Sequence, residues 1–395
     1  MSEKFIQRIS QQDSPLWKIK KLPIACLEIE LTERCDNNCV HCFINKPEDD
    51  KSKLKKELST AELKRIIFQA ASLGALLVKF SGGEPLLRSD FKELYLFTRN
   101  LGLKVVLFTN ANLINPDLIK LFQKVAPLVP INVSLYGMSR KCHESITRKK
   151  GSYKKARLGI RRLLRAKIPF IVKTVNLPQN DKELKGLIHW IKGLPWSEQT
   201  ASSVSFLLLH CRRDRKKSDV IKELRLSPQE YVALFSHTEG FIKQRQQYFA
   251  QNNRLFGNRI FNCGIKGGVI CLDAYGYLQP CMLLRESSCV YNLKKGSLKE
   301  ALNVFFPKVL NRKSSNPIYL NRCARCFLKC ICEQCPGKSW IEHGNLDTPI
   351  NYCCQIAHCE ARVLGLLKEN EYAWKVRDWK IRLANFLKLG GTHAR

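Results

Sequence analysis

Short apolar runs alternate with amphipathic stretches from residue 24 to about residue 210. Each run is about six residues long and rich in Val, Ile, Leu and Phe, which is typical of strands buried on both faces. The six runs are Ile24–Leu31, Leu76–Ser81, Lys104–Thr109, Ile131–Tyr136, Phe170–Val175 and Val204–Leu209.

The segments between these runs have helical spacing. The first, Ser59–Leu73, opens with Ser59 and Glu62 at capping-box positions. The others are Phe91–Leu101, Pro116–Val125, Ser152–Ala166 and Asp181–Gly193. Strands that alternate with helices predict a parallel α/β domain, in which all strand carboxyl ends lie on one side and form the site. The pattern alone does not distinguish a barrel from an open doubly wound sheet.

The pattern changes after residue 226. Ser227–Glu230 predicts a helix start with Pro228 at the first helical position, and we expect this helix to run to about Gln247. Beyond it Gly, Pro and Cys replace the periodicity, which predicts a small domain held together by metal. Val363–Leu389 again has helical character. We predict five segments: an extension (1–23), the parallel domain (24–226), a helical bridge (227–262), a Cys-rich domain (263–361), and a basic helix and tail (362–395).

Cysteine content points to metal chemistry. The 395 residues include 18 cysteines, of which twelve fall between Cys263 and Cys359. The polar stretch Met1–Lys21 lacks the order of a secretory signal, and no apolar run reaches the roughly eighteen residues that a membrane span needs. We therefore expect a cytoplasmic protein without a membrane partner, in which cysteines are metal ligands or catalytic groups more often than disulfides.

The net charge of +33, from 67 basic and 34 acidic residues, favours acidic partners. A basic proteome would explain the surplus equally well, because the Lys/Arg clusters are dispersed along the chain. Nucleic acid is compatible with this charge, but no RNA-binding module is visible and we do not favour it.

The first cysteine group follows the first predicted strand directly. Cys35, Cys39 and Cys42 are separated by three and two residues. Three thiolates can hold three irons of a cubane and leave the fourth iron open, as a catalytic metal requires. The alternative is a zinc site with His41 as the fourth ligand.

A glycine turn follows the second predicted strand, beside the cysteine loop in a parallel sheet. Its residues are Gly82, Gly83, Glu84 and Pro85. Two glycines let the backbone approach a ligand closely, and Glu84 with nearby carbonyls could hold an ammonium group.

Together the two motifs resemble those of the radical S-adenosylmethionine (SAM) superfamily. The resemblance implies a partial (β/α)6 TIM-like barrel and a [4Fe–4S] cluster on Cys35, Cys39 and Cys42 whose open iron binds SAM. Gly82–Pro85 would hold the methionine amino group, and Ser134 the SAM carboxylate. One electron would cleave SAM to a 5′-deoxyadenosyl radical, which takes hydrogen from the substrate. Thr109-Asn110-Ala111 resembles a recurrent Thr-Asn-Gly turn of the family, with Ala111 in place of glycine.

The C-terminal cysteines resemble the SPASM domain, a small Cys-rich α+β domain with two auxiliary [4Fe–4S] clusters. One cluster would take Cys263, Cys281 and Cys335, with Cys271 as a candidate fourth ligand. The other would take Cys323, Cys326, Cys332 and Cys354. One gap is a residue shorter than in the family, so Cys330 and Cys353 could exchange with their neighbours. Paired structural zinc sites remain the alternative.

The resemblance implies a maturase that oxidises or cross-links a ribosomally made peptide or protein. An electron donor such as flavodoxin or ferredoxin is implied. The stretch before the first strand is too short for a fused peptide-recognition domain, so we expect a separate carrier protein or none. The rivals are a cofactor-building enzyme, a sulfatase-type maturase and a non-catalytic Fe–S electron-transfer or metal-binding protein. The sequence names no catalytic acid or base.

Overall fold

The computed structural model describes residues 24–44, 46–196, 204–205, 215–237, 240–252, 257–261 and 268–388. Its strands, in chain order, are β1 (Cys26–Thr32), β2 (Arg34–Cys35), β3 (Lys46–Pro47), β4 (Leu77–Gly82), β5 (Lys104–Thr109), β6 (Ile131–Ser134), β7 (Phe170–Val175), β8 (Val204–Ser205), β9 (Val269–Leu272), β10 (Tyr277–Gln279) and β11 (Tyr291–Asn292).

Helices cover most of the remaining described chain. Those of the N-terminal half are α1 (Lys51–Leu54), α2 (Thr60–Ser72), α3 (Phe91–Asn100), α4 (Pro116–Lys124), α5 (Arg140–Thr147), α6 (Ser152–Arg165) and α7 (Asp181–Lys192). Those of the C-terminal half are α8 (Arg215–Glu223), α9 (Pro228–Ser236), α10 (Phe241–Asn252), α11 (Leu298–Glu300), α12 (Phe306–Leu310), α13 (Pro317–Asn321), α14 (Pro336–His343), α15 (Asn351–Val363) and α16 (Trp379–Lys388). A π-helical turn, Ala301–Phe305, joins α11 to α12.

A nine-stranded sheet organises the molecule, in the order β11-β10-β9-β1-β4-β5-β6-β7-β8. Strands β9, β1 and β4 to β8 run parallel, whereas β10 and β11 are antiparallel additions. Apolar residues of one sheet face, such as Leu27, Val78 and Val172, are fully buried in the main hydrophobic core. The residues between them face the other way, because successive side chains of a strand alternate, and they include the charged Glu28, Lys79 and Lys173.

The predicted α/β fold with a core of parallel strands is confirmed. The predicted runs agree with β1 and β4 to β7 to within two residues at either end, and Ser59 and Glu62 form the expected capping box. Of the sixth run, Val204 and Ser205 are a strand, and residues 206–209 lie outside the described residues.

Two helix predictions are wrong in extent. The helix expected from Ser227 to Gln247 ends at Ser236, and a new one begins at Phe241 after Gly240, whose φ of 78° is incompatible with an α-helix. The stretch expected to be helical from Val363 to Leu389 breaks after Val363, where Gly365 and Asn370 have φ values of 71° and 62°, and α16 begins only at Trp379.

The C-terminal region continues the sheet instead of forming a separate one. Strand β9 pairs with β1 in parallel, with Cys26 opposite Val269 and Glu28 opposite Cys271. The two sides of the predicted boundary at residue 262 therefore share backbone hydrogen bonds. Within the described residues, no helix is long and apolar enough to cross a bilayer.

Candidate functional site

The first cysteine group lies where the sequence predicts it, in the loop after β1. The loop is fixed to the end of α5, since Asn38 N donates to Thr147 O at 2.9 Å and Val40 N to Ile146 O at 2.9 Å. Cys39 is buried, and Cys35 and Cys42 are half-buried. All three thiols therefore sit on one short loop at the carboxyl end of the sheet.

Polar groups hold the loop on its inner side. Asn110, directly after β5, donates from Nδ2 to Asp36 Oδ1 at 2.6 Å and lies 3.8 Å from Cys35 Sγ. Asn112 Nδ2 donates to the other Asp36 oxygen at 2.8 Å. Burial, with the Glu84 charge second, raises the pKa of the Cys35 thiol well above its usual value. Asp36 and the two asparagines thus fix the loop that carries Cys35.

The glycine turn packs against the backbone that leads into this loop. Gly83 N donates to Thr32 O at 2.7 Å and Glu84 N to Arg34 O at 2.9 Å. A Cβ at Gly82 would lie 2.1 Å from Thr32 O, and one at Gly83 would lie 2.1 Å from Arg34 O. Only glycine permits this approach, and the φ of 127° at Gly82 also favours it.

Glu84 joins the turn to the neighbouring strand end. Its carboxylate accepts from Thr109 Oγ1 at 2.8 Å, from Asn110 N at 2.8 Å and from Leu86 N at 3.1 Å. Burial raises the pKa of Glu84 to about 8. With its carboxylate engaged in this way, Glu84 is a positioning residue that fixes the turn against the end of β5.

Ser134, at the end of β6, and Tyr136, two residues later, lie beside the cysteine loop. Ser134 lies opposite Lys173 in the sheet and hydrogen-bonds the Tyr136 hydroxyl. Burial raises the pKa of Tyr136, and its ring meets that of His41 edge to face, with centroids 4.9 Å apart. His41, within the cysteine loop, thus packs against the segment that follows β6.

Ala111 adopts a φ of 62°, in the left-handed region. This conformation explains why glycine is usual at that position of the family's turn, since a Cβ costs about 1–2 kcal/mol there. A Cβ at Gly159 of α6 would lie 2.1 Å from Ala111 O, so the helix presses directly on this turn.

The donor set fits a cluster that leaves one iron open, with SAM beside it. Three thiols share one loop, and Ser81 Oγ, on the polar face of β4 one residue before the glycine turn, is buried with no hydrogen-bond partner. An unpartnered buried hydroxyl is costly unless a ligand satisfies it. Among the described residues no three His, Cys, Asp or Glu side chains stand close enough to share one metal ion. The thiols of a cubane bind different irons, so they need not approach one shared ion.

The structure brings one predicted C-terminal ligand set together. Cys323, Cys326, Cys332 and Cys354 all line a single small cavity. Arg322 and Lys329 line the same cavity, and Arg322 Nη2 lies 3.6 Å from Cys354 Sγ. The alternatives Cys330 and Cys353 do not line it: Cys330 is buried in an apolar cluster.

The other predicted set is described only in part. Cys281 Sγ lies 3.5 Å from the position of a Cβ at Gly337, in the first turn of α14, and Cys335 caps that helix by accepting from Lys338 N at 3.4 Å. Cys271 is buried on β9, and its thiol donates to Glu28 Oε2 at 3.5 Å. Cys263 lies outside the described residues.

Several residues of the site carry no signal in the sequence. Asp36, Asn110 and Asn112 have ordinary loop composition, and only the Thr-Asn-Ala turn marks one of them. Arg285, which pairs with Glu30, Glu33 and Asp273, comes from a segment more than 250 residues further along the chain than Glu30. Its role depends on β9 lying beside β1, and no local pattern indicates that pairing.

Known proteins resemble this chain in both sequence and fold. The Radical SAM superfamily description matches residues 29–191. An AdoMet-dependent heme synthase of Oleidesulfovibrio alaskensis is 30% identical over 345 residues, 80% of this chain and 83% of that protein. The chain belongs to the radical SAM superfamily. It is therefore a radical SAM enzyme with a [4Fe–4S] cluster and SAM, as the two motifs predict.

Two further comparisons concern peptide-modifying proteins. The PqqA peptide cyclase of Bradyrhizobium diazoefficiens is 32% identical over 168 residues, 42% of this chain and 43% of that protein. A crystal structure of Streptococcus suis SuiB bound to precursor peptide SuiA superposes with a TM-score of 0.62 at 18% identity, covering 86% of this chain and 78% of that one. At 18% identity, the SuiB likeness shows a shared fold.

Proposed function

We propose that this radical SAM enzyme oxidises or cross-links a side chain of a ribosomally made peptide or protein, with two auxiliary [4Fe–4S] clusters as electron acceptors. The observation that carries the proposal is the cavity lined by Cys323, Cys326, Cys332 and Cys354. The electron is lost from the substrate after hydrogen abstraction, and a second metal centre in the same chain supplies the acceptor. The fold shared with peptide-bound SuiB supports a peptide as the substrate.

When bound, the cluster and SAM supply a 5′-deoxyadenosyl radical that takes a hydrogen atom from the substrate. The residues of the chain bind and orient. Cys35, Cys39 and Cys42 hold three irons, and Asp36, Asn110 and Asn112 keep their loop in place. The backbone of Gly82 and Gly83 would hold the SAM amino group, and Ser134 the SAM carboxylate. Glu84 locks the turn to β5.

Arg322 and Lys329 favour a cluster at the C-terminal cavity. Four thiolates and their irons carry net negative charge, and both cations line the same cavity. Four thiolates would also hold zinc, so the metal content must be measured.

Heme formation is the second candidate. It is favoured by the AdoMet-dependent heme synthase, which matches this chain over 80% of its length, whereas the peptide cyclase matches 42%. The charge of +33 suits an acidic peptide and a carboxylate-bearing tetrapyrrole alike.

Anaerobic reconstitution tests the proposal. The protein is loaded with iron and sulfide, reduced with dithionite and given SAM, and 5′-deoxyadenosine is quantified. It should form, and acidic peptides encoded beside the gene should raise its rate and change mass, by 2 Da for each two-electron oxidation. An iron porphyrin precursor of heme is the matched alternative. A protein that binds iron without forming 5′-deoxyadenosine would refute the enzymatic proposal. If only the porphyrin raises the rate of 5′-deoxyadenosine formation, the function is heme formation and not peptide modification.

A further inference from the structure

The sheet face opposite the main core carries charged residues and their neighbours that have no role in holding the cluster or SAM. We call Glu28, Lys79, Phe108, Asn132 and Lys173 the inner-face residues. The sheet register places them side by side: Glu28 lies opposite Lys79, and Phe108 opposite Asn132. Lys173 lies opposite Ser134, two residues beyond Asn132 on the same face. The apolar residues between them, such as Val78 and Val172, are buried under the helices on the opposite face.

Glu28 already neutralises one of the two lysines. Lys79 Nζ lies 2.5 Å from Glu28 Oε1 and 4.2 Å from the centre of the Phe108 ring. The Glu28 side chain is 7% exposed and the Lys79 side chain 21% exposed. The pair is therefore held in place by the strands, yet a ligand can still reach the ammonium group.

Lys173 has no carboxylate partner among the described residues. It is half-buried, and its charged neighbour on this face is Lys79. Burial and the positive charge of Lys79 both lower the pKa of Lys173. Glu30, two residues beyond Glu28 on the same strand face, is already paired with Arg285. Glu28, Lys79 and Lys173 together carry a net charge of +1, which one bound anion would balance. A singly charged carboxylate matches it better than a doubly charged phosphate.

The position along the strands separates the Glu28–Lys79 pair from the glycine turn, whereas Lys173 lies level with Ser134. Lys79 lies three residues before Gly82, and Glu28 seven residues before Cys35. At about 3.3 Å per strand residue, Lys79 is roughly 10 Å from the glycine turn, deeper in the sheet. A carboxylate bound between Lys79 and Lys173 would lie on the same sheet face as Ser134, next to the residues proposed to hold SAM.

We propose that Lys173 and the Glu28–Lys79 pair form a subsite for a substrate carboxylate, such as the side chain of Glu or Asp in the modified peptide. The proposal rests on the proposed function and narrows its substrate class to acidic side chains near the reacting carbon. The Lys173 ammonium binds the carboxylate, and Lys79, oriented by Glu28 and the Phe108 ring, adds a second donor. A tetrapyrrole carboxylate has the same chemistry, and it is distinguished by the stimulation assay above.

Calorimetric titration of the reconstituted, SAM-saturated enzyme tests the subsite. The probes are N-acetylglutamate amide and its neutral isostere N-acetylglutamine amide. The wild type should bind the glutamate probe at least about tenfold more tightly, as a charge-assisted hydrogen bond implies. Lys173→Gln should abolish that preference, Lys173→Arg should keep most of it, and the exposed Lys104→Gln on β5 should leave it unchanged.

Ser134 lies beside Lys173 and is proposed to bind the SAM carboxylate. A second measurement therefore tests whether Lys173 binds the carboxylate of the substrate or that of SAM. The KM for SAM in 5′-deoxyadenosine formation without substrate should change less than twofold in Lys173→Gln. A large rise in that KM would assign Lys173 to SAM and overturn the proposal. Equal binding of the two probes by the wild type would also overturn it. Failure to form 5′-deoxyadenosine would refute the proposed function instead, whatever the titrations give.

Discussion

The guanidinium of Arg285 lies 3.3 Å from the carboxylate of Glu33, two residues before Cys35. The same guanidinium lies 2.9 Å from Asp273 and contacts Glu30 of β1. Its side chain is 11% exposed, and none of the three carboxylates is more than 5% exposed. One cation from the C-terminal region thus pairs with three carboxylates, one of them at the entrance to the cysteine loop.

Replacing Arg285 by Met should destabilise the protein by about 3–5 kcal/mol, because it leaves buried carboxylates without their cation. Urea unfolding at pH 8 measures the change. Arg312→Met is the matched control, since Arg312 is 33% exposed and lies 3.8 Å from Glu286, and it should cost less than about 1 kcal/mol. Equal costs would show that the buried cluster contributes no more than a surface pair.

The deficit of Arg285→Met should shrink as the pH falls. Burial already raises the pKa of Asp273 in the wild type. Without Arg285, the folded-state pKa of Asp273 rises further above its unfolded value of about 4, so the folded variant holds a proton that the unfolded chain releases. Its stability is therefore lost as the pH rises above about 4. Unfolding at pH 5 should show a smaller difference from the wild type than at pH 8, and a larger one would contradict this account.

Gly83→Ala should abolish SAM cleavage. The added Cβ would lie 2.1 Å from Arg34 O, so the turn must move away from the backbone that enters the cysteine loop. We expect at least a tenfold loss of 5′-deoxyadenosine formation. Gly186→Ala, in α7 with no atom within 4 Å of the new Cβ, is the control and should be neutral or slightly stabilising. Wild-type activity in Gly83→Ala would show that the close approach is dispensable.

Iron analysis should give about twelve atoms per reconstituted chain if three cubanes are present. Replacing Cys35, Cys39 and Cys42 by Ala should lower the count to about eight and abolish SAM cleavage. Replacing Cys323, Cys326 and Cys332 by Ala should also remove about four irons but leave the SAM cluster's electron paramagnetic resonance signal. About four irons with zinc making up the difference would refute auxiliary clusters.

Asn110→Asp should weaken binding of the SAM cluster, although it changes none of the three cysteine ligands. It replaces an amide that donates to Asp36 at 2.6 Å by a second carboxylate at the same distance. The repulsion should push the loop open and lower iron retention after desalting, whereas Asn110→Ala should lose only the hydrogen bond. If both variants retain iron equally, charge at this position does not matter.

Local chemistry made much of this fold predictable. Runs rich in Val, Ile and Leu mark strands buried under helices, and the Ser59 capping box marks the start of α2 where the structure has it. The breaks at Gly240 and Gly365 escaped prediction because a glycine inside an amphipathic stretch is compatible with a helix. The pairings Cys271–Glu28 and Lys79–Glu28 depend on strand register between distant segments. Lys173, as a lone lysine in a strand, reads from sequence as an ordinary solvated side chain.

Strand β1 has its neighbours at very different distances along the chain. Its partner β4 begins at Leu77, but the other, β9, begins at Val269, about 240 residues after Cys26. At about 5–20 residues per second, synthesis of the chain between β1 and β9 takes roughly 10–50 s. During that interval one row of its backbone N–H and C=O groups is exposed, as on any open sheet edge. Co-translational folding of the N-terminal half therefore remains unfinished until the C-terminal region emerges.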